Sequence, residues 1–324
     1  MSSKEVLIPR ETILGGKVAY VFSGQGSQSV GMGLDLYESS EAARKVFDDA
    51  DTALGFKLSK LIFQGPDQNL RDTINSQPAI MTVSMACWMA YEESLGSNVP
   101  QPVSMAGHSL GQYTSAVVSG VISFKDGIRL VRERGRLMHE ASIIRPGGMA
   151  AIIGLNELAL EHICAETGVE VANVNSDDQI VISGDKLALA RAMDLAHLRG
   201  AGKTIPLPVS GAFHSSLMLV AQQGLAEAIA ASKLQDPKVP IIANSTGLPL
   251  TKASEVSEEL IRGLSKCVQW RNSVQYMVNS GVSSFVEFGP TKVLTSLIRR
   301  IDPNVHVMTL SDSASIGKIA EAAA

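Results

Sequence analysis

The run Gly107-His108-Ser109-Leu110-Gly111 sets a hydroxyl between two glycines, after the apolar stretch Val103 to Ala106 and before a segment able to start a helix. A strand, a sharp turn and a helix around G-x-S-x-G form a nucleophile elbow. The glycines let the chain turn tightly and keep bulk away from the serine, whose hydroxyl then projects above the sheet. The N–H of Leu110 falls at a helix N-terminus, where it can stabilise an oxyanion. The same residues also suit a glycine-rich turn that happens to hold a serine, so the chemistry needs a base.

The chain has six histidines. His108 lies inside the elbow with its side chain expected to point away from the serine. His139, His162 and His197 fall on helices among charged neighbours, and His306 reads as a strand residue. His214 is different, because it follows the break Pro208-Val209-Ser210-Gly211-Ala212-Phe213. Loops held by a rigid scaffold are where catalytic residues concentrate, although a lone loop histidine is otherwise a polar surface residue. The order serine then histidine is that of α/β-hydrolases, yet no acid is placed between them. Asp177, Asp178 and Asp185 read as turn and cap residues.

Two further groups could assist. Gly24-Gln25-Gly26 is not a dinucleotide fingerprint, because Ser29 stands where the third glycine belongs. As a tight loop after a strand it could aim a backbone N–H at an oxyanion. Arg134, in Arg132-Glu133-Arg134-Gly135-Arg136, belongs either to a solvated charged face or to a guanidinium turned inward to grip a carboxylate in two places.

These residues need a scaffold. Lys17 to Phe22 reads as a buried strand after a loosely held leader over residues 1–16. Glu41 to Leu54 is helix-like, Gln77-Pro78 opens a helix running to about Ser94, and helical segments cover Leu110 to about Ala141. Strands alternating with helices predict a mostly parallel α/β sheet. After Arg145-Pro146-Gly147-Gly148 the order becomes β-α-β-β-α-β: strand Met149 to Leu155, helix Glu157 to Thr167, strands Val169 to Val174 and Gln179 to Ser183, helix Lys186 to Arg199, strand Lys203 to Pro208. That is the ferredoxin-like split unit. The expected fold is therefore α/β: a hydrolase-like large domain over 17–144 and 209–312, interrupted by a ferredoxin-like small domain at 145–208. In the second half of the large domain the pattern gives a helix from His214 to Ser232, a strand at Pro240 to Ala243, a helix at Glu255 to Leu264, a strand at Ser284 to Phe288 and a helix at Lys292 to Arg300.

At 324 residues, 45% hydrophobic and 19% charged, the chain can bury a large core. A net charge of −4 argues against a general nucleic-acid binder. Its three cysteines include no C-x-x-C pair, which suits a reducing compartment rather than a disulfide framework or a zinc site. The first residues carry no signal-peptide pattern, and the longest uncharged apolar stretch, Pro78 to Tyr91, is too short to cross a bilayer. A cytoplasmic protein without a membrane span is expected.

Gly24-Gln25-Gly26-Ser27-Gln28, Gly107-His108-Ser109-Leu110-Gly111, Glu133-Arg134-Gly135, Asn173-Val174-Asn175-Ser176 and Gly211-Ala212-Phe213-His214-Ser215 stand in one order at compatible spacings. Together with Val268-Gln269-Trp270 and Glu287-Phe288-Gly289-Pro290, they resemble the malonyl-CoA:acyl carrier protein transacylases from Lys17 to about Leu310. The resemblance implies the two-domain architecture above, with the site in the cleft, and a ping-pong cycle. Ser109 is acylated by malonyl-CoA and then gives the malonyl group to the phosphopantetheine thiol of acyl carrier protein, with no cofactor and no metal. It implies His214 as base, oriented by a backbone carbonyl near Gly263 instead of an acid. The N–H groups of Gln25 and Leu110 form the oxyanion hole, Arg134 pairs with the malonyl carboxylate, and Asn173 lies near the nucleophile or is a turn residue. Phe213 matches the malonyl-selective form of its segment, crowding an α-methyl branch. Gln112 departs from the glutamate that many members carry after Gly-His-Ser-Leu-Gly, which leaves open a discrete acyltransferase that loads polyketide synthases. A monomer is implied, and acidic carriers predict a basic rim near Lys292, Arg299 and Arg300. The competing readings are a carrier-protein acyl hydrolase and a non-catalytic carrier-binding module that has kept the fold.

Overall fold

Every second residue of Lys17–Phe22 serves a different core. Val18, Tyr20 and Phe22 pack into the larger apolar cluster, and Ala19 and Val21 into a second one on the opposite face. A strand buried on both faces belongs at the centre of a parallel sheet covered by helices. The computed structural model describes residues 16–323 and places this strand there. The expected leader at 1–16 lies, up to residue 15, outside the described residues.

The ten strands are β1 (Lys17–Phe22), β2 (Ser104–Gly107), β3 (Gly148–Ile153), β4 (Glu170–Val174), β5 (Gln179–Gly184), β6 (Lys203–Pro206), β7 (Ile241–Ile242), β8 (Pro249–Leu250), β9 (Val282–Phe288) and β10 (His306–Leu310). They make two sheets among the described residues. The six-stranded sheet runs β10-β9-β1-β2-β7-β8, parallel except for the antiparallel edge pair β7–β8. The four-stranded sheet runs β4-β5-β3-β6, every neighbour antiparallel, which is the ferredoxin-like order.

One face of the small sheet (Ala150, Ile152, Ile180, Ile182) packs on helices Glu157–Thr167 and Lys186–Leu198, forming a core of its own. The other face (Met149, Ala151, Ala172, Val181) joins the larger cluster beneath it. The second sheet is thus anchored into the body that carries β1 and β2.

Two helices differ from expectation, each for a local reason. The helix expected from Gln77-Pro78 begins at Thr73 and runs to Leu95 with Pro78 inside it. Proline lacks the N–H that would meet the carbonyl of Ile74, and Arg132 Nη1 donates to that carbonyl instead, at 2.9 Å. The helical segments expected over Leu110 to Ala141 are Gly111–Val118 and Phe124–Ile144. Gly120 turns at φ 81°, and Ser123 Oγ caps the second helix by accepting from Asp126 N at 3.1 Å. The helix expected from His214 starts as a 3-10 turn at Ser216–Ala221 and becomes α-helical over Gln222–Ala230. His214 itself is left-handed and cannot belong to a right-handed helix. Helices Trp270–Asn279 and Ser313–Ala323 are additions to the expected pattern.

Helices Thr73–Leu95 and Phe124–Ile144 cross closely at Gly135, where a Cβ would stand 2.7 Å from the carbonyl oxygen of Thr73 and 2.8 Å from Cα of Ile74. Gly135→Ala should therefore lower stability by about 1–3 kcal/mol through overpacking. Urea unfolding measures this, and an unchanged midpoint would contradict so close an approach.

Candidate active site

The strand ends β1, β2 and β7 converge on one point, as ligand sites of open parallel sheets do at the carboxyl ends of their strands. β2 leads into Ser109, at φ 51°. A Cβ on Gly107 would stand 2.0 Å from the carbonyl carbon of Gly111, and one on Gly111 2.1 Å from the carbonyl oxygen of Phe22. Both glycines are therefore needed to seat the elbow helix Gly111–Val118 against β1 and β2.

Asn244, just past β7, holds the elbow on both sides. Its Oδ1 accepts from Ser109 N at 2.6 Å and its Nδ2 donates to the carbonyl of Gly107 at 2.7 Å. Sequence reasoning missed this residue; its only signal is a position at the C-terminal end of the strand Pro240 to Ala243. Because Asn244 occupies the Ser109 N–H, the nucleophile's own amide is not an oxyanion donor. The N–H groups of Gln25 and Leu110 donate to no partner among the described residues, and Leu110 N stands at the start of the elbow helix.

Ser109 Oγ lies 2.8 Å from His214 Nε2. The other ring nitrogen, Nδ1, lies 3.0 Å from the carbonyl oxygen of Lys266. A carbonyl only accepts, so Nδ1 carries the proton and Nε2 presents its lone pair to the serine. The carbonyl closest to Nδ1 is that of Lys266, and the expected carbonyl of Gly263 also acts on the ring. The backbone of 263–266 turns under His214, whose own N–H donates to Leu264 O at 3.1 Å. His214 is 6% exposed and at φ 58°. Burial above all, then the charge of Arg134 and the nearby His108, hold its pKa down to about 3, against an opposing pull from the carbonyls of Lys266 and Gly263.

Arg134 is turned inward and is 2% exposed, whereas Arg136 of the same helix pairs with Glu133 and Glu140 in solvent. Its Nη2 donates to Ser109 Oγ at 3.1 Å and its Nη1 to Gln77 Oε1 at 2.6 Å. The guanidinium carbon lies 5.1 Å from the centre of the Tyr113 ring, and buried Nε has no partner. No carboxylate pairs with Arg134 among the described residues. Desolvation pulls its pKa below the ordinary guanidinium value.

The other expected site residues make no side-chain hydrogen bond to Ser109 or His214 among the described residues. Asn173 sits within β4, not in a turn, pairs with Val181 and bridges to Val268. It makes no hydrogen bond to Ser109 or His214, and it is Asn175 that reaches the elbow, accepting from His108 Nε2 at 2.9 Å. Gln112 is 3% exposed and turns away from the nucleophile, its Nε2 donating to Glu259 Oε1 at 3.4 Å. Glu259 also accepts from Ser245 N and Oγ. A glutamate at 112 would set two buried carboxylates face to face, which the amide avoids. Phe213 is buried in the main core with its ring against Gly211. Asp185 caps its helix as read, accepting from Leu187 N and Ala188 N. Lys292 is exposed beyond the C-terminal end of β9, but Arg299 and Arg300 lie in the last turn of Val293–Ile301, which runs back toward the start of β10. They lie toward the amino ends of β9 and β10, where Arg299 Nη2 donates to Val307 O at 3.1 Å, whereas Ser109 follows the carboxyl end of β2. No group of residues suited to holding a metal ion occurs among the described residues.

An elbow serine beside an imidazole, with a buried guanidinium that has no carboxylate partner, is an arrangement able to carry acyl transfer of an anionic group. An acyl transferase domain model matches residues 19–320. The chain is 41% identical to the malonyl CoA-acyl carrier protein transacylase of Bacillus subtilis (strain 168), over 93% of this chain and 95% of that one. It is also 41% identical to the Escherichia coli (strain K12) protein of that name, over 94% and 98%. The solved Coxiella burnetii transacylase superposes with a TM-score of 0.91 at 37% identity, covering 95% of this chain and 98% of that one. A malonyl-transacylase solved in complex with a type II polyketide synthase acyl-carrier protein superposes with a TM-score of 0.90 at 36% identity, covering 94% and 99%. The chain belongs to the malonyl-CoA:acyl carrier protein transacylase family.

With the His214 pKa depressed from 6.5 to about 3, the free imidazole stays neutral as pH falls through the ordinary histidine range. kcat/KM for acylation by a p-nitrophenyl ester should be flat from about pH 5 to about pH 8, since this parameter reports the free enzyme. An inflection near the ordinary histidine value would contradict the depressed basicity.

Proposed function

We propose that this protein moves the malonyl group from malonyl-CoA to the phosphopantetheine thiol of an acyl carrier protein, through an ester on Ser109. The observation that carries this is the buried guanidinium of Arg134, without a carboxylate partner and 3.1 Å from the nucleophilic oxygen. In a malonyl ester on Ser109 one methylene separates the carbonyl from a carboxylate, which can then pair with that guanidinium.

In the first half-reaction His214 Nε2 takes the hydroxyl proton as Ser109 Oγ bonds to the thioester carbon. The N–H groups of Gln25 and Leu110 stabilise the oxyanion; a single such donor typically contributes about 3 kcal/mol. Collapse breaks the carbon–sulfur bond, and the imidazolium protonates the CoA thiolate as it leaves. In the second half-reaction His214 takes the proton of the carrier thiol, sulfur bonds to the ester carbon, and Ser109 leaves as the alcohol with the proton returned from His214. The lysine carbonyl behind Nδ1 keeps the tautomer correct in both directions.

The cycle balances with no cofactor, and one chain supplies every group, so a monomer suffices. Three free cysteines fit a reducing, cytoplasmic setting, and no helix among the described residues is long and apolar enough to cross a membrane. Supply of fatty-acid synthesis is the use we assign; loading of a discrete polyketide carrier requires the same chemistry. A simple acyl hydrolase has no need of a buried cation, and a non-catalytic module has no need of a serine 2.8 Å from an imidazole nitrogen. Phe213 we assign to crowding an α-methyl branch, a preference of about 1–3 kcal/mol for malonyl over methylmalonyl.

Arg134→Ala should cut malonyl transfer by a hundredfold or more, roughly the cost of losing a charge-paired contact, while acetyl transfer holds or rises. Side-by-side kinetics with malonyl-CoA and acetyl-CoA decide it, and unchanged selectivity would refute the carboxylate role.

A further inference from the structure

Beyond Ser109, His214 and Arg134, a run of buried polar side chains lies in the first turns of helix Thr73–Leu95. Thr73 is 1% exposed and Gln77 is fully buried. Arg134 Nη1 donates to Gln77 Oε1 at 2.6 Å, Gln77 Nε2 donates to Thr73 Oγ1 at 3.0 Å, and Thr73 Oγ1 donates to Gln25 Oε1 at 3.2 Å. A guanidinium can only donate, so the Gln77 oxygen faces Arg134 and its amide nitrogen faces Thr73 and Met138 Sδ. Having accepted that N–H, the threonine hydroxyl has its one proton left for Gln25. The donors therefore run in one sense, from the guanidinium to the loop after β1.

We infer that Thr73 is a positioning residue that sets the separation between the carboxylate-reading guanidinium and the oxyanion loop. This rests on the malonyl-transfer reading above. Malonyl engages both ends at once, its carboxylate at Arg134 and its thioester oxygen at Gln25, one methylene apart. Acetyl engages only the oxyanion end, so its reaction does not depend on that separation. The loop has its own braces, Ser27 Oγ to Gly24 O at 2.7 Å and Gly26 N to Gln28 Oε1 at 2.9 Å. These keep the loop folded, whereas the chain through Thr73 ties it by side-chain hydrogen bonds to Arg134.

Thr73→Val keeps the shape and deletes the hydroxyl. kcat/KM for malonyl-CoA should fall about tenfold or more, the usual consequence of stranding buried polar partners, while acetyl-CoA changes by less than about twofold. Thr73→Ser, which retains the hydroxyl, should restore the ratio. A role confined to starting the helix would lower the melting temperature and leave the malonyl-to-acetyl ratio alone, so a folded valine variant with an unchanged ratio overturns the inference. Should valine not fold, Gln77→Met breaks the same chain one link nearer Arg134 and carries the same comparison. A wild-type protein that takes no malonyl-CoA at all would instead sink the functional reading, a result separable from the first by the wild-type control.

Discussion

A guanidinium removed from water, its charge answered only by a glutamine oxygen, a serine hydroxyl and a tyrosine face, is expensive for a fold to keep. Burying an ion without an opposite charge costs several kcal/mol even after relaxation. Arg134 is held in that state by the tight crossing at Gly135 and by the first turns of helix Thr73–Leu95. On the proposed reading the countercharge comes from the substrate: an anionic acyl group would pair with the guanidinium, and a neutral one would leave it unpaired.

The catalytic pair is strained in the same spirit. Ser109 and His214 are the only non-glycine residues with positive φ among those described. Such conformations cost about 1–3 kcal/mol each and persist where surrounding contacts over-determine them. Asn244 supplies those contacts at the serine, and the carbonyls of Leu264 and Lys266 supply them at the histidine. The two supports are themselves joined, since Gln269 N donates to the carbonyl of Asn244 at 2.6 Å. The small sheet takes part as well. Val268 N donates to Ala172 O at 2.8 Å and Val174 N to Val268 O at 2.9 Å, so β4 fixes the segment that aims the imidazole. Asn175 adds a second tie from the same sheet, through His108.

Much of this was legible in the sequence because it depends on local rules. The helix Glu41–Leu54 and the split β-α-β-β-α-β order announce themselves by periodicity and by caps such as Asp185. The elbow is legible because only glycine fits at Gly107 and Gly111. What escaped depends on long-range partners. Pro78 reads as a helix start, and only Arg132, from another helix, makes it tolerable inside one. Nothing within residues 263–266 says that a second carbonyl joins that of Gly263, so counting along the chain missed Lys266, whose oxygen stands 3.0 Å from Nδ1. Asn244 lacks a motif, and Gln112 belongs to a motif yet serves Glu259 on the far side of its helix. Arg299 and Arg300 looked near the site in sequence, but a helix returning between parallel strands carries its last turn to their amino ends.

The central claim is that Ser109 Oγ, beside a neutral imidazole and a counterion-free guanidinium, becomes the malonyl ester. Intact-mass and peptide mapping of the protein after brief mixing with malonyl-CoA test it directly. One malonyl adduct should appear on the peptide containing Ser109 and disappear when phosphopantetheinylated carrier protein is added, with the same mass gained by the carrier. An adduct on another residue, or none while malonyl still reaches the carrier, would contradict it.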